Sequence, residues 1–258
     1  MAVTSASIVH PWPRSPALDP LQISIRQGSI VDLDAMLDIG LAAFPLDPQW
    51  DYRFPHRWTY PRDTRKFTRM RYREFLEGGN GRWVVLFAEC IDPENPLRLK
   101  IMAFSVWEII NISNQMFQRA AQDNQTPPPE SQHDQSRRDG DPRRMRAWTD
   151  TLASSRRVLF DRYYGTRHFQ LQILATHPEH QRRGAGSSLC RWGMQLAKER
   201  NMAISVFASP MGKQLYRHLG FHSLASVTIK VQEEDDYVIL EAMAYIPHYT
   251  QRPQGEVC

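Results

Sequence analysis

Cysteine is scarce and scattered in this chain. Its three cysteines, Cys90, Cys190 and Cys258, are widely separated, odd in number and without a C-x-x-C spacing. That pattern indicates neither a disulfide framework nor a zinc site, so no metal is expected and reduced thiols in the cytoplasm fit best. No stretch approaches the roughly 20 apolar residues of a membrane span. The opening MAVTSASIVHPWPRSPALDP lacks the continuous apolar core of a secretory signal, and nothing targets a membrane. A long basic run is missing too: 32 Lys and Arg are interspersed with 28 Asp and Glu for a formal charge of +4. Composition therefore does not call for nucleic acid, although a basic excess suits an anionic ligand. No internal repeat is present.

What remains is 258 residues with 41% hydrophobic content, enough for a substantial core. Residues 1–20 are rich in Pro and Ser and read as a disordered N-terminal tail, with the domain spanning 21–247 and a C-terminal tail at 248–258. LQISIRQ alternates like a half-buried strand. Ser29 is placed to cap a helix whose apolar stripe includes Ile30, Leu33, Leu37 and Leu41. The stretch FPLDPQWDYRFPHRWTYP carries four prolines, which forbid a long regular helix. Its Trp50, Tyr52, Phe54, Trp58 and Tyr60 either wall a substrate pocket, together with Trp107, or finish the core around a loop. Asp63 is expected to cap a second helix ending near Gly78.

RWVVLFAEC and LRLKIMAFSVWEI are strand-like and flank the turn IDPENP, as an antiparallel hairpin or meander would. Residues 118–146 contain almost no aliphatic side chains and read as a disordered polar insertion. Its Arg138, Arg143, Arg144 and Arg146 are expected to be solvated, the alternative being an acidic partner. A helix is expected around Trp148–Tyr163. Then come the strand HFQLQILATHP, a glycine-containing loop, the amphipathic SSLCRWGMQLAKER and the buried strand AISVFAS. PMGKQLYRHLGF forms a short helix closed at Gly220, and two final strands flank the acidic turn QEEDD.

The loop between strand and helix reads Gln181-Arg182-Arg183-Gly184-Ala185-Gly186, a Q-x-x-G-x-G pattern. Its glycines let the backbone turn tightly and approach a ligand without a Cβ in the way. The amides at the following helix N-terminus then face an anion, and two flanking arginines strengthen that field. A diphosphate is the natural guest. The motif alone is common, but its strand before, helix after and LYRHLGF some thirty residues on are a much rarer combination.

On LQILATHPEHQRRGAG and ASPMGKQLYRHLGF the sequence resembles the GNAT (Gcn5-related N-acetyltransferase) superfamily, over about residues 168–221, with ASPMGKQLY closest to its fungal-type members. The resemblance implies an α+β fold. Its centre is a mixed, mostly antiparallel sheet of six to seven strands, splayed at the cofactor strand and flanked by about four helices. It implies acetyl-CoA as cosubstrate, with the pantetheine arm along Leu174, Ala175 and Thr176. The diphosphate would lie on the loop and helix start: Gln181, Arg182, Arg183, Gly184, Ala185, Gly186, Ser187 and Ser188.

The resemblance also places Tyr216 near the CoA sulfur as general acid. The strand positions where relatives keep a glutamate or a histidine are Gln170 and Gln172 here, and neither accepts a proton usefully. Glu108, His168 and His177 are therefore the candidate bases, each through water, unless an amine bound partly deprotonated needs none. The implied activity is acetylation of a small-molecule amine, in a cytoplasmic monomer or homodimer with no nucleic-acid or membrane partner. The alternatives are acyl-CoA sensing or a non-acetyl-transfer reaction in the same cleft, and lysine or N-terminal acetylation of proteins.

Overall fold

The computed structural model describes residues 23–78, 81–92, 95–111, 137–165 and 167–247. The tails expected at 1–20 and 248–258, and the part of the insertion at 118–136, lie outside them. Strand β1 (Ser24–Gln27) leads through a single 3-10 turn into α1 (Leu33–Ala43). Ser29 starts that turn in a capping box, its backbone N–H donating to the Asp32 carboxylate at 2.9 Å. The proline-rich stretch allows only a 3-10 turn and the six-residue α2 (Pro48–Arg53), capped by Asp47. Helix α3 (Pro61–Leu76) follows. Its start is a correction: Pro61, with its preset φ and missing N–H, begins the helix two residues before Asp63. Asp63 instead binds Arg138 through both carboxylate oxygens at 2.8 and 2.9 Å.

Strands β2 (Trp83–Asp92) and β3 (Asn95–Asn111) form the expected antiparallel pair. Helix α4 (Pro142–Arg156) begins inside the segment read as disordered, a second correction. The Asp141 carboxylate caps it, accepting the Arg143 and Arg144 amides at 2.8 and 3.1 Å. The acidic partner of these arginines is the chain's own QEEDD turn: Arg144 reaches Glu234 at 2.6 Å and Asp236 at 2.8 Å, and Arg143 meets Glu233. Pairing across some 90 residues, with burial of Trp148, orders a segment whose local composition carries no apolar pattern. One π-helical turn (Arg157–Asp161) and a last helical turn (Arg162–Tyr164) lead to β4 (Arg167–Thr176). Then come α5 (Ala185–Arg200), β5 (Ala203–Ala208), α6 (Pro210–His218), β6 (His222–Lys230) and β7 (Tyr237–Tyr245). Six α-helices of six residues or more thus stand among the described residues, where about four were expected. None of them is long and apolar enough to cross a membrane.

The seven strands make one sheet in the order β1-β2-β3-β4-β5-β7-β6, antiparallel throughout except for β4 beside β5. Helix α5 covers one face over Trp107, Phe169 and Leu171, while α1 and α3 cover the other over Phe87, Phe104 and Val106. A third cluster joins α4 to β6 and β7 through Trp148, Phe160, Ile229 and Leu240. The two-residue alternation of β4 changes phase once. Val106 pairs with Ile173 and Trp107 with Leu171, so Gln172 is an extra, bulged residue. Before it, Phe169 and Leu171 face α5; after it, Ile173 and Ala175 face α1 and α3. The bulge aims Gln172 out of the ladder.

Trp107 does not shape the large cleft described below, correcting the expectation that it would. It is buried under α5, 2% exposed, donating its indole N–H to Ser105 Oγ at 2.9 Å. A Cβ built on Gly193 of α5 would stand 2.3 Å from its ring. At an exposed helix site Gly→Ala gains about 1 kcal/mol, but a methyl forced onto a buried ring costs about 1–3 kcal/mol. Gly193→Ala is therefore expected to lower the urea-unfolding free energy, and a gain would show that the ring yields freely.

Candidate functional site

Strand β4 pairs with β5 only from His168–Ala203 to Leu171–Val206. Beyond that point the ladder stops while β4 continues to Thr176 against β3. Among the described residues its other edge, from Gln172 onward, has no strand partner, and polar backbone groups with no partner call for one. A cleft of about 1140 Å³ opens there, reaching from α2, α3 and α4 to the loop before α5. That volume slightly exceeds the usual small-ligand range.

At one end of the cleft the loop is built around two left-handed residues, Arg182 at φ +63° and Gly184 at φ +91°. The Gln181 amide ties the loop to the end of β4 by donating to Thr176 O at 3.4 Å. Helix α5 has no side-chain cap, because its N-cap is Gly184. Its first intrahelical bond is Ser188 N–H to Gly184 O at 2.9 Å, so the amides of Ala185, Gly186 and Ser187 lack intrahelical acceptors. A Cβ on Gly186 would make only ordinary contacts, the nearest 3.5 Å from Leu215. The chain's own packing does not demand glycine there, whereas a ligand lying against the backbone would. Of the residues assigned to the cofactor, Leu174, Ala175, Thr176, Gln181 and Arg182 line the cleft, as do Gly184, Ala185, Gly186 and Ser187; Arg183 and Ser188 do not.

Tyr216, on α6, lines the same cleft and is 5% exposed. Burial pushes its phenol well above the usual value of 10, with smaller contributions from Cys190 and Asp47. It is a hydrogen-bond donor at every working pH. Its ring packs on Phe221, with centroids 5.5 Å apart, and against the backbone of Gly212, where a Cβ would come within 2.9 Å.

Glu108 lies near the end of β3, 3% exposed, and also lines the cleft. Arg82 grips its Oε1 through Nε at 2.8 Å and Nη2 at 2.7 Å. Arg156 reaches Oε2 at 2.9 Å and the bulged Gln172 amide donates to the same oxygen at 2.7 Å. Burial alone would raise this carboxyl's pKa, but Arg156, Arg82 and the two kinds of hydrogen bond outweigh it and hold the group below its ordinary range. A carboxylate offers about four lone-pair sites; three accept hydrogen bonds, and the Arg82 Nη2 ion contact crowds Oε1 as well. As arranged, Glu108 orients two guanidiniums and has no room for a further proton.

His168, the other candidate base named on the strand, is not in the cleft. It sits at the closed end where β4 and β5 pair, wholly buried, its ring 6.4 Å from Phe160 and 6.3 Å from Tyr164. Its Nδ1 is 3.2 Å from Gly165 O, and burial lowers its pKa, so it is a neutral core histidine. His177 caps the 3-10 turn Pro178–His180 by accepting the Glu179 amide at 3.4 Å. Among the described residues His177, Glu179 and His180 bring possible metal-ligating atoms within 4.8 Å of one another, a grouping the sequence reading passed over. Burial, then Lys100 and Arg183, depress the His180 pKa, and those two charges disfavour a cation.

The aromatic stretch divides between its two readings. Trp50 and Phe54 line the cleft, Tyr52 is core beneath Arg144, and Trp58 is 74% exposed. Sequence reasoning missed Arg53, Arg71, Arg137 and Arg156 as lining residues, along with Tyr72 and Trp148. No local pattern marks them, since they come from three separate helices and the segment before α4.

Residues 155–223 match the family model described as acetyltransferase (GNAT) domain. No curated protein sequence matches the chain. Among solved structures it resembles a histone acetyltransferase HPA2 and related acetyltransferase from Corynebacterium glutamicum, at 20% identity and TM-score 0.54, over 90% of this chain and 98% of that one. A putative arylalkylamine N-acetyltransferase 7 from Aedes aegypti superposes at 13% identity and TM-score 0.57, over 93% and 98%. A polyamine N-acetyltransferase from Drosophila melanogaster does so at 12% and 0.55, over 87% and 99%. The family match is confined to residues 155–223, and the chain as a whole has the fold of these solved acetyltransferases.

Folded Glu108 titrates below the ordinary 4.5, so its contribution is fully present above about that pH and disappears as pH falls through the lower folded value. Glu108→Gln leaves two arginines facing a neutral amide, and the stability cost at neutral pH is expected to be about 1–3 kcal/mol. Thermal unfolding at stepped pH should show that gap constant from pH 8 to 5 and closing below about 4.5. A gap that widens in acid contradicts the assigned pairing.

Proposed function

We propose that the protein is an acetyl-CoA-dependent N-acetyltransferase that acetylates an amine of a small molecule. The observation that carries this reading is the cleft where β4 parts from β5, with a glycine-started helix aimed at one end and a buried tyrosine alongside. The loop amides from Arg182 to Ser187 would hold the diphosphate, and the open edge of β4 at Leu174, Ala175 and Thr176 would hold the pantetheine arm. Acetyl-CoA supplies an activated acetyl group as a thioester. Tyr216 donates a proton to the sulfur that leaves as the amine takes the acetyl group. The amine's own surplus proton goes to solvent, since Glu108 is held as a carboxylate by Arg82, Arg156 and Gln172 and His168 lies outside the cleft. Solved relatives named for arylalkylamines, agmatine and polyamine support a small amine as acceptor.

The carboxylate across the ladder from Gln170, Glu108, is already held by Arg82, Arg156 and Gln172, which favours one second reading, in which the cleft binds acyl-CoA without transferring the group. Thiol release that depends on added amine separates the two.

Tyr216→Phe removes only a hydroxyl. It is expected to lower kcat by about 100-fold or more while CoA affinity stays within a few-fold. Unchanged turnover and pH profile would remove the tyrosine from the chemistry. Gly184 at φ +91° occupies backbone space that L side chains rarely enter, so Gly184→Val strains the loop by about 1–3 kcal/mol. Calorimetry should then show CoA binding weakened about 10-fold or more, and equal affinity would place the diphosphate elsewhere.

A further inference from the structure

Six arginines line the cleft, and only Arg182 of them belongs to the loop before α5. Arg71 pairs with Glu74, Arg137 with the buried Asp139, and Arg82 and Arg156 share Glu108. At the Glu108 cluster one buried carboxylate is shared by two guanidiniums, and Asp161 stands against the second of them. Arg82 uses Nε and Nη2 on Glu108, and Arg156 uses Nη1 on Glu108 with Nε 3.6 Å from Asp161. Each fork has five N–H donors, so both keep N–H groups beyond those directed at Glu108. A buried carboxylate that accepts from both arginines thereby holds two half-used forks in place, and such forks are how planar oxyanions are recognised.

Two orphaned polar atoms point the same way. Gln170 is 4% exposed, lines the cleft, and its Oε1 has no hydrogen-bond partner among the described residues. A buried acceptor without a donor is costly, and an amine N–H supplies one. Gln170 stands directly across the ladder from Glu108, about 5 Å away at the backbone. Trp50 Nε1–H, 7% exposed and also in the cleft wall, lacks an acceptor among the described residues. The remaining wall is aromatic, with Phe54, Phe67, Tyr72 and Trp148.

We infer that the acceptor is a primary amine that also bears a carboxylate a few atoms away, on an apolar or aromatic body. Its nitrogen meets Gln170 Oε1 and its carboxylate meets the Arg82–Arg156 pair. A polycation such as spermidine finds Glu74 and Glu108 already held by arginines. This inference rests on the proposed acetyl transfer for its amine half, while its anion half is a property of the binding surface.

The test compares matched probes with the full chain and acetyl-CoA: phenylalanine against 2-phenylethylamine, 4-(aminomethyl)benzoic acid against benzylamine, and spermidine. Thiol release should give at least one carboxylated member a kcat/KM about 10-fold or more above its partner and above spermidine. In Arg156→Gln, and in Arg82→Gln, that ratio should fall toward one, with Arg156→Lys intermediate and CoA affinity confirming that each variant is folded. Preference for the uncharged or polycationic probes overturns the inference, as does a ratio the variants leave alone. If no probe is turned over, acetyl transfer to amines fails, and calorimetry on the CoA-loaded protein decides the rest. Binding of a carboxylated probe that Arg156→Gln weakens about 10-fold sustains the anion site; no binding of any of them, or equal binding by the variant, overturns it.

Discussion

Two adjacent parallel strands that stop pairing part-way govern this molecule. β4 and β5 share four register pairs and then separate, while β4 runs on for five more residues against β3. A strand edge inside a protein is stable only if something else satisfies it. Everything that defines the cleft is arranged around that unsatisfied edge: the glycine-started helix α5 at its far end, Tyr216 of α6 beside it, and Gln170 and Leu171 at the point of divergence. The bulge at Gln172 sits at the same point. It reverses the facing of β4, so that the strand packs under α5 on one side of the fork and under α1 and α3 on the other.

Charge organises the other half of the cleft. Glu108 and Gln170 are cross-strand partners, and the bulge lets Gln172 reach back to the same carboxylate. Arg82 comes from the start of the β2 hairpin and Arg156 from the last residue of α4, so three distant segments meet on one buried acid. The π-helical turn that follows Arg156 is the irregularity at which α4 turns toward β4. A carboxylate so committed is a poor proton acceptor and a good anchor. On the proposed reading the two anchored guanidiniums are left to receive an anion, and the amine loses its proton without a dedicated residue.

The loop end of this cleft was legible in the sequence because it is local. Gln181 to Gly186 lies between an alternating strand and an amphipathic helix, and both the left-handed Gly184 and the Ser209 cap of α6 fall where the pattern puts them. The strands were legible for the same reason. What failed was long-range: arginines of the polar segment 137–146 find their partners in Asp63 and in the turn at Glu233–Asp236, and no window of sequence holds both members. Trp107 and His168 were misplaced because spacing along a strand fixes a face without saying what covers it. The Glu108 cluster combines both difficulties.

The central claim is that the free edge of β4 and the start of α5 together receive acetyl-CoA. Hydrogen–deuterium exchange with and without acetyl-CoA reads those amides directly. The expected result is slowed exchange confined to two stretches, 173–176 on β4 and 182–187 at the loop and helix start, because ligand atoms occupy groups the fold leaves unpaired. Unchanged exchange at both stretches under saturating acetyl-CoA, or protection only elsewhere, would contradict it.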